Sequence, residues 1–137
     1  MELEASIGNI REGFLLVSIT PEKLSVRRVR YSMQPFPTPR HRKVVETIFE
    51  RDVGTSGEKE RIAIVLDKML AYLEEAQERY TSRHSNPVGV CWSFILWTDQ
   101  KVYYTSGQNA YPLWWEDACA LIFGEHCTLF KLYNRNS

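Results

Sequence analysis

Residues 88–97, VGVCWSFILW, are apolar on both sides of an extended chain. Val88, Val90, Trp92, Phe94 and Leu96 fall on one face, and Cys91, Ser93, Ile95 and Trp97 on the other. A strand with two apolar faces belongs in the middle of a sheet, with neighbours on both edges and cover above it. The fold is therefore expected to be built around this segment. Thr98-Asp99-Gln100-Lys101 turns the chain, and residues 102–105 return as its hairpin partner.

Other segments supply the rest of the sheet. Residues 14–19 are an apolar run, and Pro21 sets up a turn at 20–23. Residues 24–31 alternate, but the phase breaks: Leu24 and Val26 share one face, Val29 and Tyr31 the other. A bulge near Arg27-Arg28 would restore one buried face and push both guanidinium groups to solvent. Residues 14–31 are accordingly expected to form a β-hairpin. Residues 128–133 suit a last strand, followed by frayed residues 134–137.

Helical signals are interspersed. Three prolines make 34–39 an extended connector, and Thr38-Pro39 opens a short helix over 39–52, with Val44, Val45, Ile48 and Phe49 as its apolar face and Gly54 after it. Thr55 and Glu58 form a capping-box pattern. Behind it, Ile62, Val65, Leu66, Met69, Leu70, Leu73 and Tyr80 lie on one stripe at helical spacing, which predicts a helix over 58–81. Residues 81–87 are polar and form a loop. Pro112 opens a further helix through Phe123, with Trp115, Ala118, Cys119 and Ile122 as its inner face and Gly124 closing it. The expected fold is a single α+β domain over 1–137, of order ββααββαβ, with a mostly antiparallel sheet covered by helices. A chain of 137 residues can bury about two-thirds of its unfolded surface, enough for a core without staples.

The chain is neutral, 17 Lys and Arg against 17 Asp and Glu, but the charge is unevenly placed. Residues 23–43 hold seven bases and no acid, whereas residues 44–80 hold nine acids and five bases. The block Lys23, Arg27, Arg28, Arg30, Arg40, Arg42 and Lys43, interleaved with Tyr31 and Phe36, has three readings. It can be solvated or paired with the acids that follow, it can meet an acidic protein, or it can hold phosphates while an aromatic stacks on a base. Trp114 and Trp115 sit about 100° apart on one helix and cannot both face inward equally, so Trp114, with Tyr111, is read either as an interface aromatic or as part of a wide helix face packed on a large sheet.

Catalytic patterns are sparse. Nucleophilic chemistry needs a nucleophile, a base and a group to orient the base. Cys91 lies inside an apolar strand and Cys119 on the inner face of a helix, where thiols are inert. Cys127, beside His126 and with His84 elsewhere in the chain, is the best-placed thiol. Cys119, His126 and Cys127 lack a fourth ligand for structural zinc. Residues 54–59, GTSGEK, miss the spacing of a phosphate-binding loop. No metal and no cofactor are expected. No apolar run approaches the roughly 20 residues of a membrane span. The odd cysteine count and an opening Met-Glu-Leu-Glu-Ala-Ser unlike a secretory signal lead us to expect a cytoplasmic setting.

These readings converge on a small non-enzymatic protein-binding module of accessory, inhibitor or adaptor type. Its contact residues would be Arg27, Arg28, Arg30, Arg40, Arg42 and Lys43, with Tyr111 and Trp114, against an acidic protein surface or a second copy of itself. The alternatives are a nucleic-acid or anionic-ligand binder using the same bases, and a small thiol enzyme.

Overall fold

The computed structural model describes residues 1–9, 11–31, 42–81 and 90–123. In chain order these form strands β1 (Glu2–Asn9), β2 (Gly13–Ile19), β3 (Lys23–Tyr31) and β4 (Arg42–Asp52), then helix α1 (Ser56–Glu75). Strands β5 (Arg79–Thr81), β6 (Cys91–Trp97) and β7 (Val102–Gln108) and helix α2 (Trp115–Phe123) follow. The strands make one sheet of order β4-β3-β2-β1-β6-β7-β5, antiparallel except where β5 runs parallel to β7. The α+β class is as expected, but among the described residues the order is ββββαβββα where ββααββαβ was expected, and the last helix begins at Trp115 where Pro112 was expected to open it. Strand β6, the doubly apolar segment, is interior between β1 and β7.

Both helices pack on one face. There, Leu3 and Ile7 of β1, Leu15 and Val17 of β2, Val26 of β3 and Trp92, Phe94 and Leu96 of β6 meet one side of each helix. From α1 come Ile62, Leu66, Met69 and Leu73, and from α2 come Trp115, Ala118, Cys119 and Ile122. Burying a side chain such as Leu66 or Met69 is worth about 1.5–3 kcal/mol, so this layer is the main source of stability. The opposite face carries a smaller cluster of Phe14, Leu16, Val29 and Cys91, with Tyr31 edge-on to Phe14 at 5.0 Å.

Helix α1 starts as its sequence implies. Thr55 accepts a hydrogen bond from the Glu58 amide at 3.1 Å, while the Glu58 carboxylate reaches past it to the Gly54 amide and to Arg51. The helix stops at Glu75, although the residues beyond it favour helix. There the chain joins the edge of β7: Thr105 donates its hydroxyl hydrogen to the Gln77 carbonyl at 2.5 Å, and the Ser106 amide donates to Glu78. Tyr80, expected on the helix stripe, instead belongs to β5 and packs on Trp92 at 5.7 Å. Strand pairing has overridden local propensity.

Three further departures have physical reasons. The expected helix over 39–52 is strand β4 where it is described. Two bulges flank the Arg27-Arg28 pair, between Val26 and Arg27 and between Arg28 and Val29, inserting one extra β4 residue each, Ile48 and Val45, against β3. These insertions turn an alternating strand into a pattern of Val44, Val45, Ile48 and Phe49 that mimics helical spacing; the run of β-branched residues is the signal for strand. The bulge expected in β3 is absent, because β3 keeps unbroken register with β2, so Leu24 and Val26 face the helices and Val29 faces the second cluster. Strand β1 was not among the expected elements, although Leu3, Ala5 and Ile7 alternate and are all buried. The last strand at 128–133, the connector at 34–39, the loop over 82–87 and the frayed residues 134–137 lie outside the described residues.

Gly107 lies opposite Trp92, and a Cβ there would come within 2.5 Å of the indole ring. Trp92 is wholly buried and cannot move aside. Gly107→Ala is therefore expected to cost about 1–3 kcal/mol by overpacking. Chemical denaturation checks it: an unchanged midpoint would show that the indole does not rest on the β7 backbone.

Candidate interaction surface

The basic block is largely answered from within the chain. Glu50 of β4 binds Lys23 at 2.5 Å and Arg27 at 3.7 Å, and Glu46 binds Arg28 at 3.5 Å. Register sets these pairs, since Ser25 lies opposite Glu50 and Arg28 opposite Glu46. Arg27 and Arg28 point to opposite faces of the sheet, so they do not form one patch. Such exposed pairs add little stability, yet they reduce the field that an anion would feel. Lys23 accordingly lies above and Glu50 below its ordinary value, each chiefly through their mutual hydrogen bond. Arg30 donates to the Arg11 carbonyl at 3.2 Å and, like Lys43 opposite it, stays exposed. Arg40 lies outside the described residues.

Arg42 has a structural task. It grips Glu4 of β1 with two hydrogen bonds of 2.9 and 3.2 Å. Following register from Glu4 through Ser18 and Ser25 to Glu50, Arg42 stands three strands across and six paired positions along. On a flat sheet that separation would be about 24 Å, well beyond the reach of both side chains. The sheet must therefore be strongly coiled, with the open end of β3 and β4 arching over the face away from the helices. The two bulges in β4 supply the bend. Beneath the arch lie Phe14, Val29 and Tyr31, and the buried hydroxyls of Ser6 and Ser93 bonded at 2.8 Å. Burial lowers Arg42, but Glu4 and Tyr31 together outweigh it and hold the guanidinium above its ordinary value.

The aromatic segment forms a pinned loop. Asn109, at φ 56°, exchanges hydrogen bonds with Val90: its amide donates to the Val90 carbonyl and its side-chain oxygen accepts from the Val90 amide. Trp92 donates its indole N–H to the Ala110 carbonyl at 2.8 Å. Tyr111 packs on Trp115 at 4.9 Å and stacks on Trp92 at 6.4 Å. Pro112 is buried, and its carbonyl accepts from the Trp115 amide. Trp114 lies flat on Tyr72 at 5.4 Å and is half-buried. Leu113, between these anchors, is 106% exposed, whereas Tyr111 is 40% exposed. The expected interface pair is thus divided: Tyr111 is at the surface and Trp114 mainly joins α2 to α1. Leu113 was not singled out from sequence. Its signal is a leucine flanked on each side by a residue with a strong reason to be buried.

Chemistry is less supported. Cys91 is buried, and burial pushes its thiol up; Cys119 is buried against the helix layer. Cys127, His84 and His126 lie outside the described residues. A groove of about 580 Å³ between α1 and α2 is lined by Lys68, Ala71, Tyr72, Asp117, Ala120 and Leu121, with no thiol or aliphatic hydroxyl. Among the described residues, no helix is long and apolar enough to cross a membrane. Comparison of the chain with known protein families, with curated proteins and with solved structures finds no match.

Two outcomes test this geometry. Glu4→Gln leaves Arg42 partly buried beside a neutral group and is expected to lower stability by about 2–3 kcal/mol, close to the range for breaking a buried pair. A loss below about 0.5 kcal/mol would mean that the arch does not depend on this pair. The second concerns pH. Burial raises both Cys91 and Tyr31 in the folded state, so the folded chain keeps protons that the unfolded one releases. Their contribution is complete at pH 7 and is lost as pH rises above about 8.5, where an unfolded thiol ionises. Unfolding midpoints measured from pH 7 to 10 should fall, and Cys91→Ala should flatten the first part of that fall.

Proposed function

We propose that this chain is a non-enzymatic protein-binding module whose principal anchor is Leu113, with Tyr111 beside it and Arg30 and Arg11 as the cationic margin. The observation that carries this reading is the complete exposure of Leu113 on a loop whose flanking residues are all fastened. A loop backbone already held in place adds little ordering cost when its apolar side chain enters a partner's pocket, so only the leucine's own rotamers remain to be fixed. Tyr111 adds a ring with a polar tip, a residue type enriched at such sites.

The charge pattern supports a protein partner in preference to a polyanion. Lys23, Arg27, Arg28 and Arg42 already face carboxylates, so among the described residues only Arg30 and Lys43 of the seven-base block remain to neutralise phosphates. Arg30 and the β1–β2 turn holding Arg11 lie at the same end of the sheet as the loop after β7. Strands β3 and β7 are four strand spacings apart, at most about 19 Å, so one partner of ordinary interface size, about 800 Å² a side, spans both. An apolar anchor with a basic margin fits a partner pocket rimmed by acids.

The test compares affinity-tagged wild-type protein with Leu113→Asp and Arg30→Glu by quantitative co-purification from the native cell. Leu113→Asp should leave the unfolding midpoint unchanged, because the side chain touches nothing, yet reduce recovery of the specific partner by about 30-fold, as loss of a 2 kcal/mol anchor implies. Arg30→Glu should reduce it less, and more so at low salt. If both variants recover the same proteins as wild type in the same amounts, this surface is not the binding site.

A further inference from the structure

Strand β4 forms one edge of the sheet among the described residues, and residues 43–47 are exposed along it. Val44 and Val45 are 49% and 53% exposed, two adjacent β-branched residues on an outer strand. Exposed edges of this kind are usually short, charged or covered, because their backbone is a template for another strand. Here the charges flank the valines in the order Lys43-Val44-Val45-Glu46.

We propose that two copies of this chain pair edge to edge through this stretch, antiparallel about a two-fold axis between Val44 and Val45. In that register Lys43 of each copy faces Glu46 of the other, and Val44 faces Val45. Antiparallel edges related by a two-fold keep their faces continuous, so residues brought opposite one another must lie on the same face. In a regular strand Lys43 and Glu46, three apart, would lie on opposite faces. The extra residue Val45 removes that conflict: Lys43 pairs with Arg30 and Glu46 with Arg28, and Arg28 and Arg30 share a face of β3. The bulge therefore makes the self-complementary register possible.

The charges are available for it. Lys43 has no carboxylate partner among the described residues, and Glu46 is 60% exposed with only the 3.5 Å contact to Arg28. Pairing would place each Lys43 beside a carboxylate and cover both valines. Among the described residues the other edge, β5, is only three residues long and offers little for a further copy to pair with.

Sedimentation velocity over a concentration series at low salt tests the proposal. The wild-type chain should move from 16.0 kDa towards twice that mass. Lys43→Glu and Glu46→Lys each create two like-charge contacts across the axis and should weaken the dimer at least about tenfold. The double variant Lys43→Glu/Glu46→Lys should restore it, and unfolding midpoints identify any variant that has lost its fold. Leu113→Asp should dimerise like wild type, which separates this surface from the anchor loop. A wild-type chain that stays monomeric throughout overturns the proposal. So does a dimer indifferent to the single substitutions, or a double variant that fails to recover.

Discussion

The indole of Trp92 is the point at which the described elements meet. It is wholly buried, rests on the bare backbone at Gly107, and packs against Tyr80 of β5, Phe94 of its own strand and Trp115 of α2. Its one polar atom is satisfied by the Ala110 carbonyl. That hydrogen bond is what turns the chain after β7 from a connector into a platform. A buried indole N–H must find an acceptor, and the acceptor nearest to hand fixes the start of the loop that exposes Leu113. The surface feature thus follows from a constraint in the core.

A second constraint shapes the other half of the sheet. Strands β1, β2 and β3 are in perfect register, and nothing in their pairing alone would bring β4 over the far face. The bulges in β4 and the Glu4–Arg42 pair do so together, one by bending the strand and the other by tying its first residue to β1. Gly13, where β2 begins, has φ 93° and the Val29 carbonyl 3.1 Å from where a Cβ would stand, so a side chain there would be strained. The arch encloses Phe14, Leu16, Val29 and Cys91, which explains why β3 is apolar on one face at its start and on the other at its end.

Much of this was legible before the structure. The central strand, its hairpin partner, the long amphipathic helix and the capping threonine follow from periodicity and local hydrogen-bond chemistry. Errors gathered where tertiary contacts compete with local pattern. Val44, Val45, Ile48 and Phe49 have helical spacing only because two bulges displace the alternation, and a bulge depends on the neighbouring strand, which periodicity does not see. Tyr80 continues the stripe of α1, but the edge of β7 takes its backbone. At the surface, the basic block was visible as composition, whereas its neutralisation by Glu4, Glu46 and Glu50 depends on strand register. Tyr111 was found because aromatic residues draw attention; Leu113 escaped because exposure of an aliphatic residue becomes visible only once its neighbours are placed.

The same register logic bears on both proposed surfaces. Every acid on β4 opposite a base of β3 reduces the long-range field of that hairpin, so recognition there must rely on shape and short-range pairing. A neutral chain gains little from electrostatic steering, so in the proposed readings specificity would fall to an apolar anchor and to charge order along an edge. The backbone at Leu113 is held because Pro112, Trp114 and Trp115 are fastened, and that at Val44 and Val45 because they lie in a strand. The bulge that spoils β4 as a template for indiscriminate pairing also sets Lys43 and Glu46 on one face. An edge protected in this way excludes most strands and admits one whose charges run in the opposite order, and antiparallel pairing makes a second copy of the same strand such a partner.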